Sequence, residues 1–232
     1  MTNEPITDLM QNIVGTNDYF KLAFERWLPT CSRLPEFLSN YERKIRKKIR
    51  EIDDEGKQAD LIAELHIAWL LLKKPEFEIE YEPWGKDVAA PDYFVKSTND
   101  RWSIEVKHLR DISQPLDLDS DEAVLPEIPS NESRLRNIVT RSRKQWRNDM
   151  PTLLWINTRC GNTDVTELSF ALERMSESHT FEELSGAMIL STWESSYFKG
   201  RSLLRVNQHA KHPLSAEAIN FLLNVEKRDR AY

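Results

Sequence analysis

The segment Arg101–Leu109 constrains the fold more than any other part of the chain, because it alternates polar and apolar residues along its length. Alternation of this kind, with β-branched and aromatic side chains, predicts a β-strand. Neighbouring side chains of a strand point to opposite faces of the sheet. Ile104 and Val106 are therefore expected to face a core, whereas Glu105 and Lys107 share the opposite face.

A second strand is predicted directly upstream, over Pro91–Lys96, with proline at the entry position, where its missing backbone donor costs little. The four residues that follow, Ser97–Asp100, have the composition of a turn. The two strands are therefore expected to form a hairpin, which would bring Asp92 close to Glu105.

A helix is predicted over Lys57–Lys73, since this segment contains neither glycine nor proline and is rich in helix-forming residues. Glu64 lies in its middle, and four residues on its helix face, Leu61, Ile67, Ala68 and Leu71, are all apolar. A carboxylate in such surroundings is costly unless a partner compensates its charge. A metal ion, a lysine or a backbone donor could serve as that partner.

The order of these features resembles the PD-(D/E)XK nuclease superfamily: a helix with Glu64, a strand, a strand that begins Pro91-Asp92 and a strand that contains Glu105-Val106-Lys107. The resemblance covers roughly residues 57–158. It implies an α/β fold, with a restriction-endonuclease-like αβββαβ core and a mixed central sheet, to which an N-terminal helical annex is added here.

The resemblance also implies roles for the four residues. Asp92 and Glu105 would bind a divalent metal, Lys107 would be the lysine of the motif, and Glu64 would be an accessory acid at the same metal. Carboxylates are hard oxygen ligands that suit Mg²⁺ or Mn²⁺. A metal held there lowers the pKa of its bound water, and the lysine could orient or deprotonate that water or stabilise charge as a cation.

A purely structural interpretation of the same residues stays open. Glu105 and Lys107 could be an ordinary pattern of exposed charges on a strand, and Asp92 could cap a strand edge. The apolar setting of Glu64 argues against this interpretation.

Composition bounds the broad class of protein. The chain has 232 residues, a formal charge of −6 and a mean hydropathy of −0.59. It contains no apolar run long enough for a membrane span and no signal-peptide pattern, so no membrane contact is expected. Cys31 and Cys160 lie far apart in the sequence, which favours a reduced, cytoplasmic protein.

Two regions are predicted, an N-terminal helical region over residues 1–56 and a nuclease-like domain over residues 57–232. The further helices are expected at Asn17–Leu28, Pro35–Ile52, Asn131–Trp146, Asp164–Ser178 and Ser215–Val225, and the further strands at Phe77–Glu82, Thr152–Asn157, Ala187–Thr192 and Ser202–Val206. The acidic, proline-containing segment Asp111–Ser130 is predicted to be a long loop.

Two segments are basic despite the overall negative charge. Tyr41–Arg50 carries six Lys or Arg residues against one acid, either as a solvated helix face or as a nucleic-acid contact. In the helix predicted over Asn131–Trp146 and just beyond it, Arg136, Arg143 and Arg147 are expected on one outer arc, where they could contact phosphates.

The leading functional hypothesis is a Mg²⁺- or Mn²⁺-dependent nuclease that acts on nucleic acid, with DNA favoured over RNA. The alternatives are a non-catalytic nucleic-acid-binding or assembly subunit with the same fold, and another metal-assisted phosphohydrolase. Homo-oligomerisation or association with a partner protein stays open.

Overall fold

The computed structural model describes residues 4–15, 17–85, 88–110, 130–158, 181–191 and 202–225. Within these ranges the chain is an α/β protein with a mixed, open sheet of six strands and six α-helices. Every helix in them is too short or too polar to cross a lipid bilayer. The helix predicted at Asp164–Ser178 and nearly all of the loop predicted at Asp111–Ser130 lie outside the described residues.

The helices are α1 (Glu4–Val14), α2 (Asp18–Trp27), α3 (Leu34–Arg50), α4 (Glu55–Leu72), α5 (Asn131–Ser142) and α6 (Ala216–Leu223). Four of them begin at a residue whose side chain accepts a hydrogen bond from a backbone amide of the helix: Asn17 for α2, Asp54 for α4, Ser130 for α5 and Ser215 for α6. The helices predicted in these regions are confirmed, with ends that differ by a few residues.

The predicted helix Asn131–Trp146 is too long. The α-helix ends at Ser142 and continues as a single 3₁₀ turn over Arg143–Gln145, after which Trp146 is extended. The Ser142 hydroxyl donates to the carbonyl of Ile138 at 2.7 Å, a local bond that competes with regular helix geometry. Arg147 therefore lies beyond the helix, and the three arginines do not share one helical face.

The strands are β1 (Glu78–Tyr81), β2 (Tyr93–Lys96), β3 (Arg101–Leu109), β4 (Thr152–Thr158), β5 (Gly186–Ser191) and β6 (Ser202–Val206). They lie in the sheet in chain order. β1, β2 and β3 are successively antiparallel, β4 is parallel to β3, β5 is parallel to β4, and β6 returns antiparallel at the edge. The predicted β2–β3 hairpin is confirmed, with Tyr93 opposite Ile104.

Helix α4 lies at the centre of the larger core. It packs on one face of the sheet, where Trp102, Ile104 and Val106 are buried, as the strand pattern predicted. Its other side contacts the N-terminal helices, and Trp27 of α2 stacks on both His66 and Trp69. The boundary predicted at residue 56 falls near the start of α4, and residues on both sides of it belong to one buried cluster.

The opposite face of the sheet carries a second, smaller core. Leu135 and Val139 of α5 pack there against Leu154 and Ile156 of β4. Because side chains alternate along β3, Glu105 and Lys107 lie on this second face, while Leu109 at the end of the same strand is part of its core. The candidate catalytic residues are thus held at the point where β2 and β3 diverge, between the two cores.

Candidate functional site

Asp92 directly precedes β2 and lies beside β3, the strand that carries Glu105. Tyr93 and Ile104 form the last pair of the β2–β3 register, so Asp92 lies just beyond the paired residues, close to Glu105. Ile104 is buried on the α4 side, and alternation along β3 directs Glu105 to the other side. The Asp92 carboxylate, in contrast, has an oxygen within 4.8 Å of carboxylate oxygens of Glu64 and Glu82. The Asp92 Oδ2 atom accepts a hydrogen bond of 2.7 Å from the backbone amide of Val106, which fixes the carboxylate beside β3.

Glu105 is fully buried, with 0% of its side chain exposed. Its Oε1 atom accepts a hydrogen bond from the amine of Lys107. Its Oε2 atom is also buried, and no donor among the described residues hydrogen-bonds to it. One carboxylate oxygen therefore lies without a partner in the protein interior, which is costly unless a proton or a cation joins it.

The two carboxyl groups hold protons more tightly than usual. Burial raises the pKa of Glu105 to about 7, despite the opposing effect of Lys107, and Glu64 adds to the rise. Burial, followed by the charges of Glu64 and Glu105, raises the pKa of Asp92 well above its ordinary value. Carboxylates this close and this buried cannot all ionise without an additional positive charge.

Glu64 approaches the same place from α4. Its Oε2 atom accepts hydrogen bonds from the Lys48 amine at 2.8 Å and from the Tyr81 hydroxyl at 2.5 Å. Burial disfavours the ammonium of Lys48, but the carboxylates of Glu64 and Glu82 raise its pKa above the ordinary value. The sequence predicted that a partner compensates the charge of Glu64. This partner is a lysine from α3, together with a tyrosine from β1.

Glu82 was missed by the sequence analysis. It follows β1 directly, and its carboxylate binds Lys48 at 2.5 Å and Lys44 at 3.3 Å. Carboxylate oxygens of Glu64, Glu82 and Asp92 lie within 4.8 Å of one another. Its position in the sequence could have revealed it. Glu82 ends the strand predicted before the Pro91-Asp92 strand, and the end of one strand of a hairpin lies beside the start of the next.

The backbone of Glu82 is also unusual. Its φ angle is +46°, in the left-handed region that residues other than glycine rarely adopt. Its amide donates to the Asp92 carbonyl at 2.7 Å, which holds the end of β1 against β2. Such a conformation costs on the order of 1–3 kcal/mol and tends to occur at functional sites.

The basic segment Tyr41–Arg50 divides its charges between different partners. Lys44 and Lys48 turn toward the acidic residues described above. On the remaining surface of the helix, Arg46 pairs with Glu42 and Lys47 with Glu51. This segment is therefore only in part the solvated face that the sequence allowed.

A cleft of about 700 Å³ opens from Asp92 and Glu82. One wall is the basic side of α3, with Arg43, Lys44, Lys47 and Lys48, and the other walls include Trp84 and Gln145. Of the candidate carboxylates, Asp92 thus lies at one end of an open groove whose lining has more cationic than acidic side chains.

The three arginines predicted to contact nucleic acid lie apart from one another. Arg136 pairs with Glu132 at 3.4 Å within α5, and Arg143 pairs with Glu183 at 3.3 Å. Neither of them lines the cleft described here. Arg147 binds Asp149, and its guanidinium lies 5.4 Å from the centre of the Trp84 ring.

Comparison of the chain with protein-family models, with curated proteins and with solved structures gave no match.

Proposed function

We propose that this protein is a metal-dependent nuclease that hydrolyses phosphodiester bonds of nucleic acid, with DNA as the expected substrate. The observation that carries the proposal is the position of Asp92 beside β3, where it accepts a hydrogen bond from the Val106 amide next to Glu105. Lys107 binds Glu105, and Glu64 of α4 lies beside Asp92. Asp92 and Glu82 line one end of an open cleft, and Glu64 of α4 lies beside them.

The arrangement of the elements supports the assignment to the PD-(D/E)XK superfamily. The chain runs α4, β1, β2, β3, α5, β4, which is the αβββαβ order that the resemblance implies. The first three strands form an antiparallel meander, and the fourth joins it parallel to β3. The sheet is therefore mixed, as that core requires.

The residues present fit a hard divalent cation. Glu64, Glu82 and Asp92, whose carboxylate oxygens lie within 4.8 Å of one another, offer the oxygen ligands that Mg²⁺ and Mn²⁺ prefer, and Glu105 is a fourth acid nearby on β3. The unpaired, buried Oε2 of Glu105 and the raised pKa values of Asp92 and Glu105 both favour an added positive charge. When bound, such a metal polarises the scissile phosphate and lowers the pKa of coordinated water.

Lys107 is suited to act as a cation. Burial disfavours its charge, but the carboxylates of Glu105 and Asp92 raise the pKa of Lys107 above its ordinary value. A lysine that stays protonated can orient a water molecule and can stabilise the negative charge that develops on the phosphate. It is a poor general base in this state, so charge stabilisation is the role we assign to it.

One observation favours the second candidate, a non-catalytic nucleic-acid-binding or assembly subunit. Lys48 already bridges Glu64 and Glu82, and Lys107 already binds Glu105. Most of the acidic charge is thus compensated by the protein itself. A site preserved for stability alone would have this property too.

A cleavage assay separates the two candidates. Purified protein is incubated with Mg²⁺ or Mn²⁺ and with single- and double-stranded DNA and RNA, in parallel with the Asp92→Ala variant. The proposal expects cleavage that needs the metal and that the substitution abolishes. If the wild-type protein cuts none of these substrates, or if Asp92→Ala cuts equally well, the binding-subunit function replaces the proposed one.

A further inference from the structure

The cleft beside the candidate site has a charge opposite to that of the whole protein. Its lining contains four cationic side chains, all from α3, and three acidic ones, whereas the chain carries a formal charge of −6. Lys44 and Lys48 are engaged with Glu82 and Glu64 at the inner end. A cleft with low-dielectric walls concentrates such a local field and attracts polyanions.

Arg43 and Lys47 form the outer part of this basic wall. They are one helical turn apart, so they lie on the same face and about 6 Å from each other along the helix axis. Both side chains are exposed. Lys47 pairs with Glu51, but an ion pair between two exposed side chains contributes little free energy. Two cations at this spacing can bind successive phosphates of one nucleic-acid strand that extends along the cleft from Asp92.

Trp84 forms a wall of the cleft with a fixed orientation. Arg147 lies over its ring, and Phe94 packs against it edge to face with 6.3 Å between the ring centres. Arg147 is itself held by Asp149 at 2.9 Å. An indole that is braced in this way and also lines a cleft is suited to stack against a nucleic-acid base.

We infer that the cleft between α3 and Trp84 binds a single strand of nucleic acid, with phosphates on Arg43 and Lys47 and an unpaired base on Trp84. Within a duplex both faces of a base are covered by its neighbours, so stacking on Trp84 selects single-stranded segments, loops or frayed ends. That the ligand is a nucleic acid rests on the proposed function. The further point is the form of nucleic acid that reaches Asp92, namely a single strand.

Binding is measured by fluorescence anisotropy with a short labelled single strand and with a blunt duplex of the same sequence, over a series of salt concentrations. EDTA prevents cleavage, and a parallel series contains Ca²⁺, another hard cation with oxygen ligands. Arg43→Ala/Lys47→Ala should weaken single-strand binding and reduce the slope of log affinity against log salt by about 1.4, at about 0.7 for each lost phosphate contact. Trp84→Ala should weaken single-strand binding about tenfold with little change in that slope, and Trp84→Phe should restore most of it.

The matched control is Lys57→Ala/Lys96→Ala, which removes the same charge from two exposed lysines outside the cleft. It should leave the salt slope nearly unchanged, and circular dichroism should show that all variants are folded. Three results would overturn the inference. The two double variants could lose single-strand affinity equally, Trp84→Ala could weaken duplex and single-strand binding equally, or the wild-type protein could fail to bind in both series. If the protein binds single strands as expected but shows no metal-dependent cleavage, the proposed nuclease function is refuted and the single-strand binding site is retained.

Discussion

Substitutions of Lys107 and Asp92 separate catalysis from metal binding. An ammonium is not a ligand for a cation, so Lys107→Ala should abolish cleavage and retain Mn²⁺ binding, whereas Asp92→Ala should lose both. Isothermal titration with Mn²⁺ and a cleavage assay on the same samples measure the two properties. Lys96→Ala, which removes an exposed lysine paired with Glu78 on the same sheet, is the control and should change neither. Loss of Mn²⁺ binding in Lys107→Ala would refute the assigned role.

Glu105 should make stability depend on pH in a defined direction. Its pKa in the folded protein is about 7, above the ordinary value of 4.5, so the folded state holds this proton more tightly than the unfolded chain. The resulting stabilisation is complete below about pH 4.5 and is lost as the pH rises through 7. Without metal, Glu105→Gln should therefore gain up to about 3 kcal/mol in free energy of unfolding relative to wild type across this range.

Urea denaturation of both proteins at several pH values measures this difference. The comparison with wild type removes the contributions of the groups that the substitution leaves unchanged. A difference that stays constant between pH 4.5 and 7 would mean that Glu105 titrates normally, and the case for a cation at its unpaired oxygen would weaken.

Lys48 supplies the positive charge that a metal could supply in part. Lys48→Met leaves Glu64 and Glu82 without their shared partner, which should lower the free energy of unfolding by about 1–3 kcal/mol, since the amine is partly exposed. Mn²⁺ should then raise the melting temperature of the variant more than that of the wild-type protein. Lys47→Met, on the exposed side of the same helix, is the control. Equal Mn²⁺ shifts in all three proteins would contradict this account of Lys48.

At the scale of single elements, α4 shows what a pattern can and cannot predict. Its composition predicted a helix, and its apolar character on every side is explained by its position between the N-terminal helices and the sheet. Leu65→Ala removes a side chain that is 1% exposed and should cost about 2–5 kcal/mol. Leu22→Ala on α2, where the leucine is 67% exposed, should change stability by no more than about 0.5 kcal/mol. Similar urea midpoints for the two variants would contradict the central position of α4.

β3 was the most predictable strand, because alternation encodes both the strand and the face that is buried. β3 has the predicted bounds, and its register with β2 brings Asp92 and Glu105 together. Glu82 was not predictable from alternation, since its contribution depends on a left-handed backbone angle at the end of β1. Lys48 was equally hidden, because its partner Glu64 is sixteen residues away and on another helix.

At the scale of the whole molecule, the N-terminal helices contribute both to the core and to the site. Trp27 stacks on His66 and Trp69 of α4, and Lys48 binds Glu64. A chain that begins at residue 53 should therefore lose cooperative unfolding, since its central helix would expose apolar side chains to water. Near-ultraviolet circular dichroism during urea denaturation checks this. A sharp transition in the shortened chain would instead support an independent domain downstream of residue 56.

The acids at the open end of the β2–β3 hairpin are proposed to bind a divalent metal. A crystal of the wild-type protein soaked in Mn²⁺ and measured at a wavelength where manganese scatters anomalously tests this binding. We expect an anomalous peak between the carboxylates of Asp92 and Glu105, within about 2.3 Å of an oxygen of each. No peak at this position, or a peak bound only by acids elsewhere on the surface, would contradict it.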